Sequence, residues 1–232
     1  MTAAYTLITA NRNYSSWSLR PWVLMKALGI PFDDRIEPFA QAVNYEAFRA
    51  FSPTGQVPVL LHWDRRIWDS LGIVLYLAQR HASIWPVEDE ARAFAMSAVA
   101  EMHGGFLALR NDCPMNVGVR VKRGDPSPAL ARDIARVREL FEEGLARFEG
   151  PYLAGPRFTA IDAFYAPVAY RVRTFGLDVG GGQDWVERVI DHPAMQEWEA
   201  AALAETWREQ SHEAEIGAAG EIVEDYRASA PA

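Results

Sequence analysis

Three hydroxyls stand in a row at Tyr14, Ser15 and Ser16, within Asn13-Tyr14-Ser15-Ser16-Trp17-Ser18-Leu19-Arg20-Pro21-Trp22. Hydroxyls just ahead of a helix can do two things. They can cap it by accepting a hydrogen bond from a backbone N–H. Alternatively, with the unpaired N–H groups and the positive end of the helix dipole, they can hold an anion such as a thiolate or a phosphate. Pro21 bears on the register, because proline has no N–H and sits comfortably in a first turn. On that ground Ser18 is the expected N-cap, Pro21 the third helical residue, and Trp17 with Trp22 a hydrophobic staple. Ser15 and Ser16 then lie in the loop ahead of the helix. Serines in such places are more often caps than catalysts, so the rest of the chain has to decide.

The other reactive residues mostly exclude chemistry. The single cysteine, Cys113, rules out an intrachain disulfide and a Cys-x-x-Cys redox pair, and fits a reducing compartment. No two of His62, His81, His103, His192 and His212 have metal-ligand spacing, and no Gly-rich phosphate loop follows a strand, so neither a metal nor a nucleotide is expected. A formal net charge of -8 argues against a nucleic-acid groove or an anionic membrane as the main partner. There is no run of about 18 apolar residues, and the first residues lack the basic region and apolar stretch of a secretory signal. A cytoplasmic protein is expected. With 232 residues, 50% of them hydrophobic and 12% aromatic, the chain can build one large or two small cored domains.

The elements that must position these residues follow from periodicity and punctuation. A β-prone run at 5–10 feeds the serine loop, and a helix from there ends at Gly29 and Pro31. A second strand is expected at 32–37, a short helix at 44–51 and a hairpin from Val57 to Trp68. A helix then opens at Asp69-Ser70 and ends near His81. The order is βαβαββα. Pro58 is allowed only at a strand start or edge. Beyond residue 88 β-prone runs disappear, and helical periodicity occupies 89–112, 129–149, 160–175, 184–191 and 193–208. Thr159-Ala160-Ile161-Asp162 is a capping box with a structural role. Gly104-Gly105 inside a helix implies a close neighbour, for which a second subunit is one candidate. The acidic, alanine-rich tail after Glu209 has no assigned element. The expected division is an α/β domain at 1–82, a linker at 83–88 and an all-helical domain at 89–232.

Together these pieces resemble the soluble glutathione transferases of the thioredoxin-fold superfamily, most of all the serine-type classes such as zeta. The resemblance rests on Ser15-Ser16-Trp17-Ser18-Leu19-Arg20, on Ser52-Pro53-Thr54-Gly55-Gln56-Val57-Pro58-Val59-Leu60, on Asp69-Ser70, and on Tyr152-Leu153-Ala154-Gly155 leading into Phe158-Thr159-Ala160-Ile161-Asp162. It implies an α/β thioredoxin-like N-terminal domain followed by an all-α C-terminal one. It also implies glutathione as co-substrate, a small electrophilic second substrate and a homodimer. By this resemblance Ser15, with Ser16 beside it, donates a hydroxyl to the glutathione sulfur, which favours the thiolate, the reactive form. Val57, before a cis Pro58, pairs with the cysteinyl backbone, Ser70 takes the glutamyl carboxylate, Asp69 takes the glutamyl ammonium, and Gln56 adds a contact. The acceptor pocket is expected at Met102, Phe106, Arg110, Cys113 and Met115. The chain departs from the pattern in having Asp69 where Glu or Gln is commoner, and in having no cysteine in the serine loop, which makes disulfide-reducing members poor models. A glutathione-dependent cis-trans isomerase of the maleylacetoacetate isomerase kind is the nearest alternative, favoured if Arg20 or Arg110 meets an acidic substrate. A non-catalytic ligand-binding protein is the other.

Overall fold

The computed structural model describes residues 4–39 and 44–229. Leu7 and Ile8 of β1 (Tyr5–Thr9) are fully buried, and β1 lies inside a four-stranded sheet. It runs parallel to β2 (Asp33–Ile36) and antiparallel to β3 (Val59–His62), with Leu7 opposite Leu60. The short β4 (Arg65–Ile67) closes the hairpin, giving the order β2-β1-β3-β4. Pro58 sits one residue ahead of β3, where no ladder N–H is needed. Helices α1 (Ser16–Ala27), α2 (Asn44–Arg49) and α3 (Ser70–Ala78) complete a thioredoxin-like α/β domain in the order expected.

The first helix corrects the expected register. It begins at Ser16 with Ser15 as N-cap, not at Ser18, and Pro21 lies in its interior. The amides of Tyr14 and Ser15 both bond the Asn11 carbonyl (3.2 and 2.9 Å), so a tight turn delivers the chain into the helix three residues early. Pro21 then has no N–H for the Trp17 carbonyl, and the helix forgoes that bond. The Trp17–Trp22 staple does not form either. Trp22 packs edge-on against Trp198, ring centroids 5.2 Å apart, while Trp17 meets His103 at 5.2 Å.

A 3-10 turn at Ala82–Ile84 leads into the helical domain: α4 (Asp89–Gly104), α5 (Leu107–Asp112), α6 (Pro128–Arg147), α7 (Ala160–Phe175), α8 (Gln183–Ile190), α9 (Pro193–Ala204) and α10 (Gln210–Ala219). Helix α7 is its axis, buried at every residue except Arg173, and it packs against α1, α4 and α8. Its capping box is formed as expected, with Asp162 accepting from Thr159 N–H at 3.0 Å.

Three features depart from the periodicity. The stretch 89–112 is two helices, because Gly105 ends α4 by giving its N–H to the Glu101 carbonyl at 2.8 Å and Phe106 follows in the left-handed region. A Cβ on Gly105 would lie 2.8 Å from that same carbonyl, so Gly105 serves the break, whereas one on Gly104 meets nothing within the chain. The helical domain also carries an antiparallel ribbon of β5 (Val119–Lys122) and β6 (Glu221–Asp225), and the unassigned tail supplies α10 and β6. Strands of four and five residues whose partners lie about a hundred positions away leave too little local pattern to read.

Candidate active site

The serine loop is tied down by the helical domain before it reaches α1. Asn13 Nδ2 donates to the Ala202 carbonyl (2.6 Å), and its Oδ1 accepts from Gly118 N–H (3.2 Å). The buried carboxylate of Glu205 accepts from Arg12 N–H (2.7 Å), and the Trp198 indole donates to the Arg12 carbonyl (3.0 Å). Buried backbone groups of a loop need such partners, and here they come from the helical half.

The loop opens onto a cleft of about 880 Å³. Its wall brings together Tyr14, Ser15, Ser16 and Trp17, the segment from Thr54 to Pro58, Asp69 with Leu71 and Gly72 at the start of α3, and the rings of Phe39, Tyr45 and Phe48. Thus Ser15, Ser16, Gln56, Val57, Pro58 and Asp69, read from distant parts of the sequence, converge on one space. The Val57–Pro58 bond is cis. Gly55 lies at φ +68°, with room for no side chain, since a Cβ there would come within 2.6 Å of the Tyr45 ring.

Ser15 is buried and Ser16 half-buried. The Ser15 hydroxyl, instead of capping a backbone N–H, donates to Ser18 Oγ at 2.7 Å. Tyr14, the third hydroxyl, is committed elsewhere, donating to Glu213 Oε1 at 2.5 Å. Burial and that bond push its pKa well up. Asp69 caps α3, accepting from Leu71 N–H at 2.9 Å, and its other oxygen lies 3.3 Å from His103 Nε2. Ser70 does not line the open cleft; it is fully buried behind Asp69, and its Oγ has no hydrogen-bond partner among the described residues.

The residues expected to line an acceptor pocket do not line this cleft. Met102, Phe106, Cys113 and Met115 are buried in the helical core and line no part of the cleft. Phe106 packs edge-on against Tyr165, and burial pushes the Cys113 thiol up to about 11. Arg110 donates to the carbonyls of Met102 and His103 and lies 4.8 Å over the Trp17 ring. Arg20 is fully buried, its guanidinium held between Trp17 (4.2 Å) and Phe164 (4.9 Å). Neither arginine reaches the cleft, so neither favours an acidic acceptor.

What the helical half does contribute is His212 of α10. Its ring stacks on Tyr14 (4.9 Å) and on Phe39 (5.1 Å), and its Nδ1 lies 2.6 Å from Glu209 Oε2. Sequence reasoning missed Glu205, Glu209 and His212. The only signal for the last pair was an acid three residues before a histidine at the start of a helix. Among the described residues no group of His, Cys, Asp and Glu is placed to hold a metal ion, and no helix is long and apolar enough to cross a membrane.

Comparison with known proteins agrees with this geometry. Residues 14–80 match the N-terminal domain of the glutathione S-transferase family and residues 127–201 its C-terminal domain, together more than half of the chain. The chain belongs to the glutathione S-transferase superfamily. Among its relatives, glutathione S-transferase 1 of Dianthus caryophyllus is 26% identical over 170 residues, 71% of this chain and 77% of the relative. A glutathione S-transferase-like protein of Beauveria bassiana is 24% identical over 206 residues, 79% and 92% of the two chains. Among solved structures, a glutathione transferase homolog from Burkholderia with bound glutathione superposes with a TM-score of 0.64 at 20% identity, covering 85% of this chain and 97% of that one. A theta class glutathione S-transferase from Xanthomonas axonopodis pv. citri, also with glutathione bound, gives 0.62 at 24%, covering 84% and 97%.

Proposed function

We propose that this protein is a serine-type glutathione transferase, binding glutathione in the cleft, holding its sulfur as the thiolate and directing it at a small electrophile. The observation that carries this reading is the convergence of Ser15, Ser16, Gln56, Val57, Pro58 and Asp69 on one cleft in a chain of this superfamily. Structures of the Burkholderia and Xanthomonas proteins contain glutathione, and the tripeptide fits the chemistry here. The N-terminus of α3 reaches the cleft at Leu71 and Gly72, and the positive end of its dipole suits the glutamyl carboxylate. Asp69 lines the cleft with one oxygen on the α3 cap and the other 3.3 Å from His103 Nε2, and that second oxygen is the one a glutamyl ammonium would share. The backbone of Val57 is available for strand-like pairing with the cysteinyl unit.

The sulfur then lies against the serine loop. A hydroxyl given to sulfur stabilises the thiolate over the thiol, each unit of pKa lowering being about 1.4 kcal/mol. Ser15 is the assigned activator, with Ser16 beside it. In the resting structure Ser15 gives its proton to Ser18, and rotation about the C–O bond redirects it to sulfur without moving the oxygen.

An ultraviolet difference titration of bound glutathione thiolate against pH, with binding followed by calorimetry, tests this in the wild type and in Ser15→Ala and Ser16→Ala. The expected result is a lowered thiol pKa in the wild type, and in Ser15→Ala retained binding with the lowering lost. Binding with an unshifted thiol, or none, removes the transferase reading and leaves a ligand-binding protein of the same fold.

A further inference from the structure

Resting on that reading, a question of proton balance remains. A serine hydroxyl stabilises a thiolate but cannot take the proton that the thiol gives up. Four titratable side chains line the cleft among the described residues: Tyr14, Tyr45, Asp69 and His212. A phenol donates its O–H and is too weak a base to take a thiol proton. Tyr14 in addition has its O–H engaged with Glu213. Asp69 has one oxygen on the α3 cap and the other beside His103. Imidazole is the side chain that both takes and gives a proton near neutrality.

The surroundings of His212 are those of an oriented base. Glu209 is buried, and its carboxylate accepts from the Ser211 hydroxyl (2.6 Å) and from His212 N–H (2.9 Å). Burial opposes its ionisation, but these bonds and the ring contact outweigh burial and hold its pKa down at about 2. A carboxylate accepts, so the proton of the neutral ring sits on Nδ1, 2.6 Å away. Nε2 carries the lone pair and makes no hydrogen bond among the described residues. Stacking on Tyr14 and Phe39 fixes the plane of the ring. Base, orienting carboxylate and fixed tautomer are the parts of a general-base unit. The charged groups around it are Glu209 and Glu213 on its own element, Tyr14 from the serine loop, and Arg227, which pairs with Glu213 at 2.5 Å.

We propose that His212 is the proton carrier of this active site. Its Nε2 takes the proton from the glutathione S–H bond, the S–H electron pair stays on sulfur, and the imidazolium shares its Nδ1 proton with Glu209. The thiolate then forms the C–S bond. In an addition to an activated double bond, the carbon that receives the π electrons takes the proton back from Nε2. In a displacement, the leaving group departs with its bonding pair and the imidazolium returns the proton to it or to water. Either way His212 ends neutral.

The test uses the full chain, glutathione and a nitroaryl halide as electrophile, comparing wild type with His212→Asn and Glu209→Gln. Asparagine keeps an N–H for Glu209 and lacks the base. We expect His212→Asn to bind glutathione within about twofold of wild type by calorimetry, while turnover falls on the order of 100-fold. The acid limb of the kcat/KM–pH profile should vanish, and added imidazole should restore part of the rate. Glu209→Gln should bind glutathione as wild type does but turn over more slowly, because the ring loses the carboxylate that orients it. Wild-type binding with an unchanged acid limb and rate in His212→Asn overturns the proposal and leaves the glutathione reading standing. Failure of the wild type to bind glutathione overturns both.

Discussion

A serine hydroxyl has one proton to give, and Ser15 gives it to Ser18 across 2.7 Å when no better acceptor is near. Once a thiolate is present the pair can reverse: Ser18 donates to Ser15, and Ser15 donates to sulfur, each bond polarising the next. Replacing Ser18, which is fully buried, with alanine should therefore raise the pKa of the bound thiol by about half a unit to one unit, less than Ser15→Ala, with glutathione binding retained. The difference titration reads both variants, and equal effects would show that Ser18 holds the loop rather than the charge. At this scale the serines were legible, because hydroxyls ahead of a helix are a local pattern. The partner of Ser15 was not, since the choice between a backbone N–H and a neighbouring hydroxyl depends on a turn at Asn11 that periodicity does not register.

Among the elements, α7 carries the largest burden, and one carboxylate starts it. Asp162 is fully buried and accepts from Leu153 N–H (3.0 Å), Thr159 N–H (3.0 Å) and the Trp185 indole (2.9 Å). Asp162→Ala would strand three buried donors. Each unmet donor costs about 1–3 kcal/mol, so a loss of roughly 3 kcal/mol or more is expected in denaturant unfolding. Asp162→Asn, which keeps one acceptor, should lose less. The capping box was readable from Thr159 to Asp162, four adjacent positions. The two further donors come from the preceding loop and from α8 and were not readable. The same division explains α4 and α5: the glycine pair marked an interruption, but only the tertiary structure showed that Met102, Phe106 and Cys113 lie in the core rather than along the cleft.

At the scale of the whole molecule, the C-terminal segment folds back over the N-terminal domain and completes the cleft. Tyr14 bonds Glu213, Arg227 clamps Glu213 and Asp225, and Glu209 holds His212. The folded pKa of Glu209, about 2, lies below its ordinary value of 4.5. Its contribution is therefore present above pH 4.5 and is lost as pH falls toward about 2. Hydrogen exchange in 209–225, referenced to α7, should quicken selectively across that window in the wild type, and this step should be absent in Glu209→Gln. Uniform exchange across the window in both proteins would show that Glu209 does not hold the segment. The sequence by itself determined the βαβαββα order, the helical second domain, the serine loop, the Val57–Pro58 turn and the Asp69 cap. Each of these is written in residues adjacent in the chain, where propensity, capping and punctuation act. The tertiary structure alone decided that Ser70 is sealed behind Asp69, that Met102 belongs to the core and Arg110 stays off the cleft, and that a histidine from an acidic tail lines the same cleft as the serines. Those outcomes depend on packing between segments up to two hundred residues apart, for which a single chain of letters carries no local signal.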